Sequence, residues 1–572
     1  MATKAYQPSL MRRSAIDQGI IVGGSFVTGF VGAATISRTF DILPDAATNP
    51  LLKAAGAVAA GAQTAQMLGA STSGPEQLNP EHAGWLEAGS ELLSAVALSR
   101  LITDDGFWLP RAIALSTFTA STVLDTREIL DARSDEPDAK YVATSVGVGT
   151  GASMALGGIA GLVTLGAWLP GKISGAGPIG RAAGGAIGAV GVAAALGYAG
   201  RYGASGVISK ISAGNRATEI AYSDAPTSSS VTGGSESEAT YDTLGLQGRR
   251  LVSEVVTADD IEEVMHEPAR ATPVRIYIGL DSAETEDDLI DLAIGELVRT
   301  NAFDRSTIIA ASPAGTGYVN YIAAEAAELM SRGDCVTVAV QYGTLPSMLS
   351  MNKVEKAARI YATLLTRIRG EITARGSSSD LCAYGESLGA TTGQRGVEAA
   401  STLPSLVVDR ALWVGTPNGS SLFERLTTDH GVPVFDDPRA LAKYLETHEA
   451  PRIVFLNHDN DPVTHFAPED AYRMPAWLGQ PDRGRGTDPN QRWLPGVAFF
   501  QGLIDTKNAA TVIPGEFFST GHDYRADLGA FVKAAFGFSD VDTKQMERIE
   551  ARLRASEVAR AQRIDLGKIH TA

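Results

Sequence analysis

Cysteine is nearly absent from this chain, which has only Cys335 and Cys382 among 572 residues. Both cysteines lie inside apolar runs typical of β-strands. We therefore expect small buried core residues rather than a disulfide pair or thiolate metal ligands. This scarcity argues against a disulfide-dependent scaffold and against a cysteine-bound metal centre.

The sequence also has no basic cluster, and its net charge is −17. An acidic chain without a basic patch is an unlikely partner for nucleic acid, so we expect no nucleic-acid binding. The eight histidines lack the spacing of metal ligands. One loop gathers His458, Asp459, Asp461 and His465, and we interpret it as a polar loop rather than a metal site. No metal and no other cofactor is expected.

Charge is missing from long stretches of the first 205 residues. Gln18–Ser37, Val142–Pro170 and Ala182–Gly200 contain no Asp, Glu, Lys or Arg. A membrane-spanning helix needs about 20 mainly apolar residues, so each stretch is a predicted span. Ala54–Ala70 and Gly106–Leu124 are weaker candidates. A Gly/Ala-rich helical domain outside the membrane is the alternative.

The short flanks of the predicted spans suggest an orientation. Lys4, Arg12 and Arg13 precede the first span, and Lys172 and Arg181 lie between the last two. Because short cytoplasmic segments are enriched in Lys and Arg, we expect the N-terminus on the cytoplasmic side of the cell membrane. An odd number of crossings places the C-terminal half outside the cytoplasm, and an even number reverses this. Closely spaced glycines permit helix pairing within one chain or in a homo-oligomer: they are Gly147, Gly149, Gly151, Gly157 and Gly161.

The C-terminal half contains a Gly-x-Ser-x-Gly motif at 385–389. It follows the strand-like run Leu381–Tyr384 and precedes a predicted helix. A sharp strand-to-helix turn exposes a serine hydroxyl at the edge of a sheet, and the flanking glycines permit the close backbone contacts of such a turn. Ser387 is therefore a candidate nucleophile.

An acid and a histidine follow this motif in the order of α/β-hydrolases. Asp461 comes after the strand-like run Arg452–Leu456 and precedes Pro-Val, which suggests a turn; Asp459 is the alternative acid. His522 lies in a loop before an amphipathic helix near the C-terminus. We predict that His522 acts as the base and that Asp461 orients it.

Strand-like runs alternate with helical periodicity from residue 274 onward. This alternation predicts an α/β fold, a mostly parallel sheet with helices on both faces. Reactive groups gather at the carboxyl ends of such strands. The turn containing Gly315 and Thr316 can present backbone N–H groups to an oxyanion, together with the N–H of Leu388, or it is an ordinary tight turn.

The sequence resembles an actinobacterial membrane-anchored α/β-hydrolase family with a transmembrane N-terminal half. The resemblance extends from about Thr243 to Gly537. The blocks that carry it are Leu244–Arg250, Val274–Ala283, Gly315–Val319, Gln341–Ser347, Gly385–Gly389, Arg492–Pro495 and Gly521–Tyr524. From these blocks we expect Tyr318, Tyr342 and Glu386 to bind substrate. Tyr318 and Asn320 stand where the family more often has Trp and Asp, which concerns substrate preference.

These observations predict four regions: a multi-span membrane domain (1–205), a flexible linker (206–242, richest in Ser, Thr and Gly over Ser212–Ser237), an α/β-hydrolase domain (243–539) and an amphipathic C-terminal helix (540–572). Segments Ser420–Glu449 and Asp470–Asn490 are expected to be insertions near the site, the first a cap.

We predict a membrane-anchored serine esterase or lipase that acts on acyl esters of envelope lipids. An acyltransferase with the same triad and a non-catalytic membrane scaffold are the alternatives.

Overall fold

The computed structural model describes residues 4–40, 79–103, 140–154, 219–401, 405–509 and 513–569. The chain divides into two compact units. One, called the N-terminal unit, consists of Met1–Tyr202 and His465–Ala510. The other, called the sheet unit, consists of Gly203–Thr464 and Thr511–Ala572.

The sheet unit is built on seven parallel strands. They are β1 (Val274–Ile278), β2 (Thr307–Ser312), β3 (Cys335–Val340), β4 (Asp380–Glu386), β5 (Arg410–Val414), β6 (Val434–Phe435) and β7 (Ile453–Leu456). The strand order is β1-β3-β2-β4-β5-β7-β6, and every neighbouring pair is parallel. The carboxyl ends of all seven strands therefore share one edge.

Fifteen α-helices accompany the strands in the described part of the chain. They are α1 (Ala15–Phe40), α2 (Pro80–Thr103), α3 (140–154), α4 (Gly245–Ser253), α5 (Ala258–Met265), α6 (Glu286–Arg299), α7 (Tyr321–Met330), α8 (Val354–Arg375), α9 (Leu388–Ala400), α10 (Ser421–Asp429), α11 (Pro438–Leu445), α12 (Pro462–His465), α13 (Val497–Ala509), α14 (Leu528–Phe536) and α15 (Thr543–Ile569). Helix α8 packs against α6 and α9, whereas α7 packs against α14 and α15.

Three strands of the sheet are buried along their whole length. Every residue of β1, β2 and β3 is buried, although successive side chains point to opposite faces. Both faces of the sheet are therefore covered, which explains why these strands are continuous apolar runs. Cys335 and Cys382 are free and buried in β3 and β4. The predicted α/β fold with a parallel sheet is confirmed.

Two segments of the sheet unit differ from the sequence-based expectation. The predicted cap at Ser420–Glu449 instead forms α10, the edge strand β6 and α11. Phe435 of β6 is 4 % exposed because its ring packs against Tyr444 and Phe531. This packing draws the segment onto the edge of the sheet.

The predicted linker also differs over its described part, which begins at residue 219. Val231 and Thr232 are buried, and Val231 forms a parallel bridge with Arg275 of β1. The Thr232 N–H donates to the Arg275 carbonyl (3.1 Å), and the Arg275 N–H donates to the Ser230 carbonyl (3.3 Å). Because β1 is an edge strand, its unpaired backbone groups provide these partners.

The N-terminal unit joins the first helices to a segment distant in sequence. Its core contains Ile21 of α1 together with Leu494, Val497 and Ile504 of the second segment. Two basic residues that suggested an orientation form ion pairs here. Lys4 pairs with Glu87 (2.8 Å), and Arg13 pairs with Asp505 (3.1 Å). The latter two side chains are 1 % and 2 % exposed.

Small residues bring α1 and α3 into close contact. A Cβ on Gly19 would lie 2.6 Å from the Cβ of Val148, and one on Gly23 would lie 2.7 Å from the Cβ of Ala152. Gly149 likewise faces Val22. Glycine at these positions therefore lets the two helix backbones approach each other within one chain.

Among the described residues, no helix combines the length and the apolar character needed to cross a membrane. The predicted span Gln18–Ser37 lies within α1, and Val142–Pro170 is described only as far as residue 154. The three other predicted spans, Ala54–Ala70, Gly106–Leu124 and Ala182–Gly200, lie outside the described residues, as do Lys172 and Arg181.

Candidate active site

Ser387 lies at the turn between β4 and α9. Its backbone has φ 58° and ψ −129°, a conformation that non-glycine residues rarely adopt and that costs on the order of 1–3 kcal/mol. The Ser387 N–H donates to the carbonyl of Val414 at the end of β5 (2.9 Å). The side chain is half-buried at the carboxyl edge of the sheet. The predicted strand–serine–helix arrangement is therefore present.

The two glycines of the motif are required by close backbone contacts. A Cβ on Gly385 would lie 2.5 Å from the Gly389 carbonyl oxygen. A Cβ on Gly389 would lie 2.3 Å from the carbonyl oxygen of Ser312, the last residue of β2. Any larger residue would push α9 away from the strands that support it. The loop after β2 thus lies directly against the start of α9.

His522 and Asp461 form a hydrogen-bonded pair. His522 Nδ1 lies 2.7 Å from Asp461 Oδ2, and the two side chains are 10 % and 0 % exposed. The Val463 N–H donates to the other carboxylate oxygen, Asp461 Oδ1 (2.8 Å). The alternative acid, Asp459, receives no such contact from His522; its own N–H donates to Asp436 (2.7 Å). The structure therefore brings Asp461, not Asp459, to the imidazole.

Gly415 places the imidazole at the same sheet edge as the serine. Its φ is +55°, and a Cβ there would lie 2.7 Å from His522 Cε1. Gly415 directly follows Val414, whose carbonyl accepts the Ser387 N–H. Three segments that are distant in sequence thus meet beside the end of β5. They are the end of β4, the loop after β7 and the loop before α14.

The predicted oxyanion donors lie at two neighbouring turns. Leu388 is the first residue of α9, and first-turn N–H groups have no acceptor within their helix. Gly315 and Thr316 are the central residues of a turn closed by a hydrogen bond from the Gly317 N–H to the Ala314 carbonyl (2.8 Å). That bond does not use the N–H groups of the two central residues.

Two buried side chains hold this turn from behind. Tyr277 Oη donates to the Gly317 carbonyl (2.8 Å), and Gln341 Nε2 donates to the Thr316 carbonyl (3.0 Å). Gln341 Nε2 also donates to the Gly343 carbonyl (2.9 Å). Because these donors fix the carbonyl groups of the turn, its remaining N–H groups have a defined direction.

The three residues predicted to bind substrate occupy different environments. Glu386 Oε2 accepts hydrogen bonds from Asn320 Nδ2 and Tyr384 Oη, both at 2.9 Å. Tyr318 is half-buried, and its ring packs edge-on against Tyr321. Tyr342 is 3 % exposed and belongs to the hydrophobic core, and its role in substrate binding stays a prediction.

The charges around His522 favour its protonated form. Burial is the largest single influence and by itself lowers the pKa of the imidazole. The charge and hydrogen bond of Asp461, with the charges of Glu386 and Asp523, outweigh it and hold the pKa of His522 above its usual 6.5. Burial in turn raises the pKa of Glu386, in spite of the Asn320 hydrogen bond and the nearby imidazole.

Two partners of the acid–base pair were not recognised in the sequence. Tyr524 Oη donates to Asp461 Oδ2 (2.6 Å), and His458 is buried beside it. From the sequence, His458 is only one residue of a polar loop, because no sequence motif marks a residue that acts through another side chain. In the described part of the chain, no three His, Cys, Asp or Glu residues are arranged to hold a metal ion.

Residues 274–549 match the sequence model of an alpha/beta-hydrolase family. This region therefore contains an alpha/beta-hydrolase domain, and this class supports a hydrolase-type function. The resemblance inferred from the motifs is confirmed to that extent. No curated protein and no solved structure matches the chain. The match includes Ser387, Asp461 and His522 and ends inside α15.

Proposed function

We propose that the protein is a serine hydrolase that cleaves carboxylic esters, with Ser387 as nucleophile, His522 as general base and Asp461 as the acid that orients it. The observation that carries this proposal is the 2.7 Å contact between His522 Nδ1 and Asp461 Oδ2, at the sheet edge where the turn at Ser387 lies.

The geometry suits a two-step acyl transfer to water. Asp461 holds Nδ1–H, which leaves the lone pair on His522 Nε2 to take the Ser387 proton as Oγ attacks the ester carbonyl. N–H groups of Leu388, Gly315 and Thr316 stabilise the oxyanion. His522 then protonates the leaving alcohol, and a water molecule, activated in the same way, releases the acid from Ser387.

Labelling with a fluorophosphonate probe tests the catalytic assignment. The full-length protein should react, whereas Ser387→Ala should not, because the probe requires an activated serine. Ser235→Ala, which removes an exposed hydroxyl distant in sequence from Ser387, should label like the wild type. Equal labelling of wild type and Ser387→Ala, or none of the wild type, contradicts the proposal.

We further propose that the substrate is an acyl ester of an envelope lipid and that the first half of the chain attaches the protein to a membrane. Long uncharged stretches support attachment, as do apolar side chains exposed on α1 and α3, including Phe26 (51 %), Phe30 (64 %) and Met154 (72 %). Release from membranes by a carbonate wash, which removes peripheral proteins, would contradict attachment through membrane-spanning helices. We propose that the hydrolase domain lies on the outer side of the membrane. Protease accessibility in intact cells tests this orientation.

Assays with the purified full-length protein test the proposed lipid substrate. The protein should hydrolyse long-chain lipid esters. Product analysis with an added alcohol separates hydrolysis from acyl transfer. Activity on short water-soluble esters alone would contradict the lipid assignment while leaving the serine hydrolase intact.

A further inference from the structure

Tyr524 lies two residues after His522 and is 1 % exposed. Its hydroxyl is 2.6 Å from Asp461 Oδ2, the same oxygen that lies 2.7 Å from His522 Nδ1. Asp461 Oδ2 therefore faces two donors, one from the imidazole and one from the phenol.

The direction of the phenol hydrogen bond follows from its other partner. The backbone N–H of His458 donates to Tyr524 Oη (3.1 Å). Because an amide N–H only donates and an ionised carboxylate only accepts, the phenol proton points to Asp461. Burial, together with the charge of Asp461, holds the pKa of Tyr524 well above 10, so the hydroxyl keeps this proton.

The His458 side chain fixes the phenol ring. The two rings are stacked, with centroids 4.1 Å apart and 24° between their planes. His458 Nδ1 lies 2.8 Å from the carbonyl oxygen of Gly521, and Nε2 lies 2.7 Å from Asp527 Oδ2. Because a carbonyl oxygen only accepts, Nδ1 donates to Gly521, and both ring nitrogens have a partner on the segment 521–527. The imidazole thus ties the acid loop to the loop that carries His522.

We propose that Tyr524, oriented by His458, is a positioning residue that supplies Asp461 Oδ2 with a second hydrogen bond and thereby limits how strongly Asp461 stabilises the His522 imidazolium. The proposal rests on the function assigned to the site above. Tyr524 does not touch the reacting atoms; it acts through Asp461.

The expected effect is on the base strength of His522. The charged groups that face this imidazole are Asp461, Glu386 and Asp523, and all three raise its pKa. Without the phenol hydroxyl, Asp461 Oδ2 accepts a hydrogen bond from His522 alone, so the imidazolium is better stabilised and the pKa of His522 rises further. The neutral base then appears only at higher pH.

Tyr524→Phe in the full-length protein tests this directly. The acid limb of kcat/KM should move to higher pH, because the neutral base appears only above the raised pKa of His522. The control is Tyr361→Phe, which removes another buried hydroxyl, one that donates to the Ala310 carbonyl (2.6 Å). It should lower stability similarly but leave the acid limb in place. An unmoved limb in Tyr524→Phe, or one moved to lower pH, overturns the proposal.

Titration of His522 by ¹⁵N NMR separates this proposal from the catalytic one. The chain has eight histidines, so a histidine-labelled sample gives few signals, and His522→Gln identifies the relevant one. The His522 titration should move to higher pH in Tyr524→Phe whether or not an ester is cleaved. 3-Fluorotyrosine at position 524, a stronger donor of nearly the same size, should move it to lower pH even if the phenylalanine variant does not fold. The opposite direction or no movement overturns the proposal.

Discussion

At the scale of single residues, the Glu386 carboxylate is an unusual neighbour for a catalytic base. Glu386 directly precedes Ser387 in the sequence. Hydrogen bonds from Asn320 and Tyr384 hold one of its carboxylate oxygens. Its charge raises the pKa of His522, and burial raises its own pKa. Three acidic side chains, Asp461, Glu386 and Asp523, therefore act on one imidazole, and only Asp461 is hydrogen-bonded to it.

Replacing Glu386 by Gln should shift the pH dependence of hydrolysis. Glutamine can still accept the two hydrogen bonds through its amide oxygen but removes the negative charge. The His522 imidazolium then loses stabilisation, its pKa falls, and the acid limb of kcat/KM moves to lower pH. Asp291→Asn, which removes an exposed charge on α6, should leave the limb unchanged. If Glu386→Gln and Asp291→Asn give the same limb as wild type, Glu386 does not act on the base.

The sequence indicates which serine and histidine to expect, but it separates the two candidate acids only weakly. Both Asp459 and Asp461 follow β7, and only the Pro-Val after Asp461 favours that residue. The difference lies in tertiary contacts, because Asp459 is bonded to Asp436, whereas Asp461 meets His522 and Tyr524. The role of Tyr524 likewise depends on side chains 63 and 66 residues away.

At the scale of secondary-structure elements, the β4–α9 connection combines a strained serine with glycines that leave no space for a side chain. Helix α8 offers a useful contrast. Gly370 lies on its exposed side, and a Cβ there would meet nothing within 4 Å. The same residue type thus has opposite physical consequences in two adjacent helices.

Alanine substitutions at these glycines should change stability in opposite directions. Gly389→Ala should lower the free energy of unfolding by about 1–3 kcal/mol, because its methyl group would overlap the Ser312 carbonyl. Gly370→Ala should raise it by about 0.5–1 kcal/mol by stabilising an exposed helix. Urea unfolding of both variants measures this. Equal effects of the two substitutions would show that close packing around Gly389 does not limit the stability of the protein.

The elements themselves were predictable in proportion to their burial. Runs such as Thr307–Ala311 and Cys335–Val340 identify strands because both faces of the sheet are covered. β6 was missed because it consists of only Val434 and Phe435 and owes its position to packing. The strand order was also not predictable, since pairing in a parallel sheet joins segments that are distant in sequence.

At the scale of the whole molecule, a buried cluster of charges ties the C-terminal helix into the sheet unit. Arg560 of α15 bonds Glu254, Glu325 and Glu557, and Glu557 also bonds Arg525, three residues after His522. Arg560 and Glu557 lie beyond the family match, which ends at residue 549. Burial raises the pKa of Glu325 to about 7, although Arg560 opposes this.

Arg560→Ala should destabilise the protein strongly, by about 3–5 kcal/mol, because three acidic side chains would lose their buried partner. Arg563→Ala is the matched control. Arg563 is on the same helix and also pairs with Glu254, but its side chain is 50 % exposed, compared with 3 % for Arg560. Its loss should cost less than about 1 kcal/mol. Thermal or urea unfolding measures both, and similar small losses would show that the cluster contributes little.

The sequence does not predict which segments of the chain form the N-terminal unit. The amphipathic C-terminal helix was predicted from Met546, Ile549 and Leu553, and Ile549 and Leu553 are buried. By contrast, no local pattern joins His465–Ala510 to Met1–Tyr202. Their association depends on contacts such as Arg13 with Asp505, which lie 492 residues apart.

This discontinuity has a consequence during synthesis on the ribosome. The segment 203–464 is translated between the two parts of the N-terminal unit. At 5–20 residues per second, α1 waits roughly 20 to 90 s for Leu494 and Val497, its partners in the core. The sheet unit is also interrupted before His522 emerges. Neither unit can therefore complete its fold in simple N-to-C order, and a nascent chain that stalls before residue 494 leaves apolar side chains of α1 available to chaperones.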